Sequence, residues 1–379
     1  MKRHSHPIDN DSCTLWDAIC SMDNLKAAHK NAKKGKGWYQ EVKQVDSNPE
    51  YYLGLLQNML INKTYHTSEY QTFYKTEGNK KRLIYKLPYF PDRICQWAVL
   101  QVIEPILLRN FTADTYSAIP GRGIHLCFYR LQEAMQKDVK GSQYCLKIDA
   151  KQYYPSIDHA ILKEKYRRLF KDDDLLWLLD EVIDSTPGEA GIPIGNYLSQ
   201  YSGNFYLSAF DHWIKEVKGV KHYFRYMDDI VILHESKEYL HRLRKEIDEY
   251  FHTKLKLTIK ENWQVFPTFK RGLDYVGYRS FLEYTLLRKS TCKTFKAKMV
   301  AINKKRLNGE ELSYSEWCSI NSYKGWLKHC DSYRLQEKYM KPLERYAETF
   351  YLQNIKGKGD TYGKSRQNQK HSQTGSKGG

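Results

Sequence analysis

Residues 1 to about 70 place apolar side chains at three- and four-residue spacing, as in LWDAICSMDNLKAAHKNAKK and YYLGLLQNMLINKTY, which predicts helices. YQTFYKT and KKRLIYKLPYF flank a Gly/Asn turn and read as a β-hairpin. Helical spacing returns over 93–111, then SAIPGRGIH forms a glycine-punctuated loop and YCLKIDA a short strand. ILKEKYRRLF and DLLWLLDEVID are amphipathic helices, and STPGEAGIPIGNYLSQ is a loop leading into a helix that ends near Val217. HYFRYM and IVILH pair across two bare acids, Asp228 and Asp229, before the helix KEYLHRLRKEIDEYFHTKL. GLDYVGYRSF and YTLLRK predict a second hairpin, and 291–354 turns helical and basic.

Composition narrows what this order of elements serves. The 379 residues suffice for two or three domains. Lys and Arg number 61 against 44 acids, a net charge of +17, with 31 tyrosines among 14% aromatics. Cations interleaved with flat rings suit a nucleic acid, although a merely solvated Lys-rich surface has the same composition. The eight cysteines form no C-x-x-C and no zinc-spaced Cys/His cluster, which predicts free thiols in a reducing, cytoplasmic setting. No stretch approaches ~18 consecutive apolar residues and no apolar run follows the first charges, so neither membrane spanning nor export is indicated. Residues 356–379 carry six cations against one acid and almost nothing apolar, which predicts a disordered basic tail.

The acidic pair is the chemical anomaly. A solvated turn would explain Asp228 and Asp229 simply. Their flanks are apolar on both faces, however, and desolvated carboxylates persist only when paired or bound to cations. Asp149 ends another apolar run, so acids at the ends of neighbouring strands can converge. Such oxygens suit Mg²⁺, and two ions ~3.5–4 Å apart would stabilise both oxygens of an in-line phosphoryl transfer.

YMDD between apolar strands, the upstream KIDAKQYYPSID and the intervening IPIGNYLSQ together resemble the bacterial reverse transcriptases of group II introns, retrons and diversity-generating retroelements. RLIYKLPYFPDRI, FTADTYSAIPGRG, LKLTIKENW and GLDYVGY complete the family's order over roughly 70–330. The resemblance implies an α+β right-hand polymerase fold of fingers, palm and helical thumb, the palm an antiparallel sheet backed by helices. Its parts would be an N-terminal helical region at 1–70, fingers at 71–125, palm at 126–280, a basic thumb at 285–355 and the tail at 356–379. It implies Asp149, Asp228 and Asp229 as the catalytic, metal-holding acids, for two Mg²⁺ with Mn²⁺ as an alternative. Lys75 and Arg82 would contact the dNTP triphosphate, although Lys80 and Lys81 leave the register open. Tyr154 falls at the family's steric gate against a ribose 2′-OH, with an ordinary packing aromatic as the competing reading. Gly195 would let backbone approach the nascent base pair, Ser199 and Gln200 would begin the supporting helix, and Lys256 or Lys260 would be the general acid. Template RNA, cDNA and dNTPs are the implied partners, with a retroelement accessory protein as an optional one and no membrane.

Ile194 before Gly195 and Gln200 after Ser199 depart from the family's commonest form, which has Gln and Pro there. The variant IGNYLSQ resembles diversity-generating retroelement enzymes, which copy a template RNA with errors at adenines. A lone or phage-defence bacterial reverse transcriptase is the alternative, followed by a non-catalytic RNA-binding or intron maturase protein.

Overall fold

The computed structural model describes residues 14–77 and 80–356. The turn expected at 78–79 and the expected basic tail from residue 357 on lie outside the described residues. The chain divides into two compact units, each discontinuous in sequence: 1–112 with 151–210 and 250–258, and 113–150 with 211–249 and everything from 259. The range expected as palm, 126–280, contributes to both.

In the first unit, helices Leu15–Cys20, Met22–Ala32, Gln40–Ser47 and Pro49–Ile61 realise the predicted N-terminal region. Local chemistry marks their starts. Thr14 and Asp17 form a reciprocal capping box, and Asn48 caps a helix whose first residue is proline. Helix Met22–Ala32 packs on helix Ile94–Asn110, where Asn24 Nδ2 donates to the Ala98 carbonyl at 3.0 Å and Gln101 Nε2 to that of Asn24 at 2.8 Å. These amides, with Asn31 Nδ2 donating to Gln101 Oε1 at 3.1 Å, fix the register of the contact. Strands β1 (Gln71–Glu77) and β2 (Lys80–Lys86) form the predicted antiparallel ribbon. It is largely exposed, so it gains little from burial, and β2 is tied by its Tyr85 amide to the Ile194 carbonyl at 3.0 Å.

The second unit holds a four-stranded antiparallel sheet in the order β4-β5-β3-β6, with β3 at Tyr144–Asp149, β4 at His222–Tyr226, β5 at Asp229–His234 and β6 at Gln264–Pro267. Ile230 to Leu233 are all buried, which explains a continuous apolar run in place of alternation. Helix Ile124–Lys137 covers one face, packing Cys127, Leu131 and Met135 on Cys145, Phe224, Val231 and Leu233. The edge strand β6 was not expected, because four residues with two apolar side chains carry no readable period. The expected second hairpin is a three-stranded meander: β7 (Leu273–Tyr275), β8 (Tyr278–Ser280) and β9 (Thr285–Leu287). GLDYVGYRSF folds back on itself because Val276 and Gly277 are left-handed, with φ of 41° and 93°. Helices Lys289–Leu307, Tyr314–Leu327 and Glu344–Asn354 build the predicted C-terminal helical region around Phe295, Met299, Ile302, Ile320 and Leu343. The class is α+β with antiparallel sheets, as expected. Among the described residues no helix is long and apolar enough to cross a membrane.

Candidate active site

The β4–β5 connection is a two-residue turn, since Tyr226 pairs with Asp229 and leaves Met227 and Asp228 between them. Met227 is left-handed at φ 59°, a strained conformation for a bulky side chain that neighbouring structure must enforce. Strand register puts Asp149 directly opposite Asp229, so the two carboxylates leave one face of the sheet. Asp228 lies in the turn next to Asp229; burial first, then the nearby Asp149, raises its pKa to about 7. Burial also raises that of Asp229, against the nearby Lys147. Lys260 Nζ lies 2.6 Å from Asp149 Oδ1 and Lys147 Nζ 3.5 Å from Asp229 Oδ2, while Asp229 Oδ1 is buried with no hydrogen-bond partner.

Neighbouring buried carboxylates need either a shared proton or a cation, and an orphaned oxygen on Asp229 adds to the demand. The donor set therefore fits a hard divalent cation. It is less closed than expected: among the described residues, no group of three His, Cys, Asp or Glu side chains stands at metal-holding spacing. Asp149 is paired with Lys260, and Asp229 faces Lys147. A cavity of about 450 Å³ opens beside Asp149 and Asp229 and is also lined by Lys147, Arg271, Arg279 and Lys289, a cationic wall suited to phosphates.

The turn is held from behind by residues that the sequence reading passed over. Arg225 and Asp211 are wholly buried and paired as a fork, Nε to Oδ1 at 2.7 Å and Nη2 to Oδ2 at 2.5 Å. Tyr223 Oη and Thr115 Oγ1 donate to the same carboxylate at 2.5 and 3.1 Å. Arg225 Nη1 then donates to the carbonyl of left-handed Met227 at 3.0 Å, and Tyr275 Oη to that of Asp229 at 2.8 Å. A lone charge inside HYFRYM was the available signal.

The other expected residues, Lys260 apart, belong to the first unit. Lys75 and Arg82 are register partners on β1 and β2, so both side chains are exposed on one face of the ribbon. Tyr154 is half-buried, and its neighbour Tyr153 takes the core position, donating to the Gly203 carbonyl at 2.5 Å. Gly195 has φ +123°, and a Cβ there would sit 2.8 Å from the Tyr85 carbonyl oxygen; the close approach seen is to β2. Ile194 precedes it, and Gln200 lies on helix Tyr197–Tyr206, which begins two residues before Ser199. The two candidate lysines separate: Lys260 touches Asp149, whereas Lys256 Nζ pairs with Asp158 at 2.6 Å.

Known proteins give the site its context. This chain is 23% identical over 269 residues to protein YkfC of Escherichia coli strain K12, across 60% of this chain and 70% of that protein. It is 22% identical over 231 residues to the group II intron-encoded protein LtrA of Lactococcus lactis subsp. cremoris, across 57% of this chain and 38% of LtrA. Among solved structures, telomerase from Candida tropicalis matches with a TM-score of 0.46 and 13% identity over 71% of this chain and 57% of that one. Telomerase from Candida albicans gives 0.45 and 11%, over 77% and 61%. The family model described as reverse transcriptase (RNA-dependent DNA polymerase) matches residues 74–280, more than half of the chain. The chain belongs to the reverse transcriptase family.

Proposed function

We propose that the chain synthesises DNA on an RNA template by phosphoryl transfer at Asp149 and Asp228, with Asp229 as the third acid. The observation that carries this is the strand register that sets Asp149 opposite Asp229, with Asp228 in the adjoining two-residue turn, within a chain of the reverse transcriptase family. Two Mg²⁺ bound there would supply the charge that stabilises the attacking and leaving oxygens. The acids provide the acceptor oxygens, and Lys260, 2.6 Å from Asp149, is the side chain to protonate a departing pyrophosphate. Lys75 and Arg82 form the phosphate clamp, Tyr154 walls off the ribose 2′ position, and Ile194, Gly195 and Gln200 support the nascent pair. Asp228→Asn keeps the shape and removes the charge. It is expected to abolish dNTP incorporation on a primed RNA template while circular dichroism stays unchanged; undiminished incorporation overturns the assignment.

Within the family we assign the chain to the error-prone enzymes of diversity-generating retroelements, and Ile194 supports this. An apolar side chain there makes no hydrogen bond near the templating nucleotide, a difference of about 0.5–1.5 kcal/mol, or roughly one factor of ten in discrimination. Sequencing cDNA made by the purified protein is expected to show errors concentrated at template adenines and fewer of them for Ile194→Gln. Uniform errors would move the chain to the lone or phage-defence enzymes.

A further inference from the structure

β3 is an inner strand, between β5 and β6, and its residues Cys145, Lys147 and Asp149 alternate onto one face. Cys145 packs in the apolar cluster beneath helix Ile124–Lys137, and an aliphatic side chain at 147 would extend that packing. A lysine stands there instead, its side chain 28% exposed, and a charge so placed persists only where it is compensated. Lys147 Nζ donates to the Asp274 carbonyl at 2.8 Å, lies 3.5 Å from Asp229 Oδ2 and stands 5.5 Å from the centre of the Tyr275 ring. Tyr275 Oη in turn donates to the Asp229 carbonyl at 2.8 Å. Residues 274 and 275 of β7 therefore hold Asp229 twice, by its main chain through Tyr275 and by its carboxylate through Lys147.

The surrounding charges give this lysine a second effect. Lys260 Nζ is 2.6 Å from Asp149 Oδ1, whereas Lys147 is the cation set against Asp229. Arg288, which also acts on Asp229, is committed to Asp274 Oδ1 at 2.6 Å. Asp229 Oδ1 is buried without a hydrogen-bond partner, so the carboxylate is balanced through Oδ2, from the side of Lys147. An ammonium fixed this close to the acids repels any divalent ion that they attract.

We propose that Lys147 is a positioning residue of the acidic centre: it pins the Asp229 carboxylate to β7 and lowers the centre's affinity for divalent cations. The inference rests on the polymerase reading of these acids, yet its test needs no template, primer or dNTP. Mn²⁺ bound to the full chain is measured by electron paramagnetic resonance for wild type, Lys147→Met and Lys147→Arg. Lys147→Met keeps the apolar stem and removes the charge. It is expected to bind Mn²⁺ about tenfold more tightly, since a unit charge a few ångströms from a divalent ion is worth at least that. Lys147→Arg keeps the charge and is expected to stay within about threefold of wild type. Lys147→Met combined with Asp229→Asn restores the net charge of the wild-type centre, so the gain is expected to vanish there. Should Lys147→Met fail to fold, Lys147→Gln carries the same expectation. A lysine that only packs β3 against β7 would lower the urea midpoint without tightening Mn²⁺. Unchanged or weaker Mn²⁺ binding on loss of the charge, or a gain that survives Asp229→Asn, overturns the proposal. Tighter Mn²⁺ binding in a protein that never incorporates dNTPs would sink the proposed function and leave this role standing; incorporation with unaltered Mn²⁺ affinity would do the reverse.

Discussion

Arg225 carries a full charge to a point where none of it meets solvent, and its hydrogen bond to the Met227 carbonyl links it to the acidic turn. Removing one partner of such a pair leaves the other uncompensated, at about 3–5 kcal/mol, whereas replacing both with apolar groups is often tolerated. The two effects separate structure from positioning. Arg225→Met alone is expected to destabilise the protein strongly, and Arg225→Met with Asp211→Leu to restore much of the urea midpoint. The double variant still lacks the bond to Met227, so kcat is expected to stay roughly tenfold or more below wild type with KM little changed. A double variant of full activity would make the pair purely structural. Tyr154 offers a cleaner test, because Tyr153 occupies the adjoining core position and Tyr154 is only half-buried. Tyr154→Ala is expected to admit ribonucleotides at a rate at least about tenfold higher while dNTP incorporation holds, a difference of ~1.4 kcal/mol. Equal discrimination in both proteins would return Tyr154 to ordinary packing. At this scale the acids were legible because charges in an apolar run are costly. Arg225 passed unnoticed because its partner Asp211 is remote in sequence and no local pattern joins them.

Elements that bury a face were readable and those that do not were less so. The apolar run Ile230–Leu233 of β5 and the long helices declared themselves by run length and period, and the structure places them where the sequence puts them. Strand β6 and the fold at Val276–Gly277 escaped, since pairing at a sheet edge and a left-handed valine depend on neighbours rather than on period. The tie between β2 and the Gly195 turn is another contact without a sequence signal, although the glycine itself was one. With φ +123° and a Cβ position 2.8 Å from the Tyr85 carbonyl, any side chain at 195 must push strand and turn apart. Gly195→Ala is expected to cost about 1–3 kcal/mol in urea unfolding through backbone strain and overpacking. If Gly195 also shapes the dNTP site, KM for dNTPs rises in the same variant. An unchanged KM in the destabilised variant would confine this glycine to holding the ribbon.

The molecule as a whole carries +17, and that charge sets how it meets a polyanion. Neutralising phosphates releases counterions, so log affinity falls linearly with log salt, by roughly 0.7 per phosphate contact on a single strand. The cationic side chains lie in separate places: Lys147, Arg271, Arg279 and Lys289 around one cavity, Lys36 and Arg93 at another, Lys75 and Arg82 on the ribbon. A further six lie in residues 356–379, whose deletion also removes one acid and so lowers the formal charge by five, to +12. If the tail meets the RNA backbone, that deletion is expected to flatten the slope by up to about 4 and weaken binding most at low salt. Catalysis on a saturating primed template should persist, because the acids, Lys260 and the residues bracing the turn all lie before the deleted segment. Titrating labelled RNA at several salt concentrations measures the slope directly. A slope equal to that of the full chain would mean the tail's charges never touch phosphate, and the salt dependence would then belong to the cations of the two units.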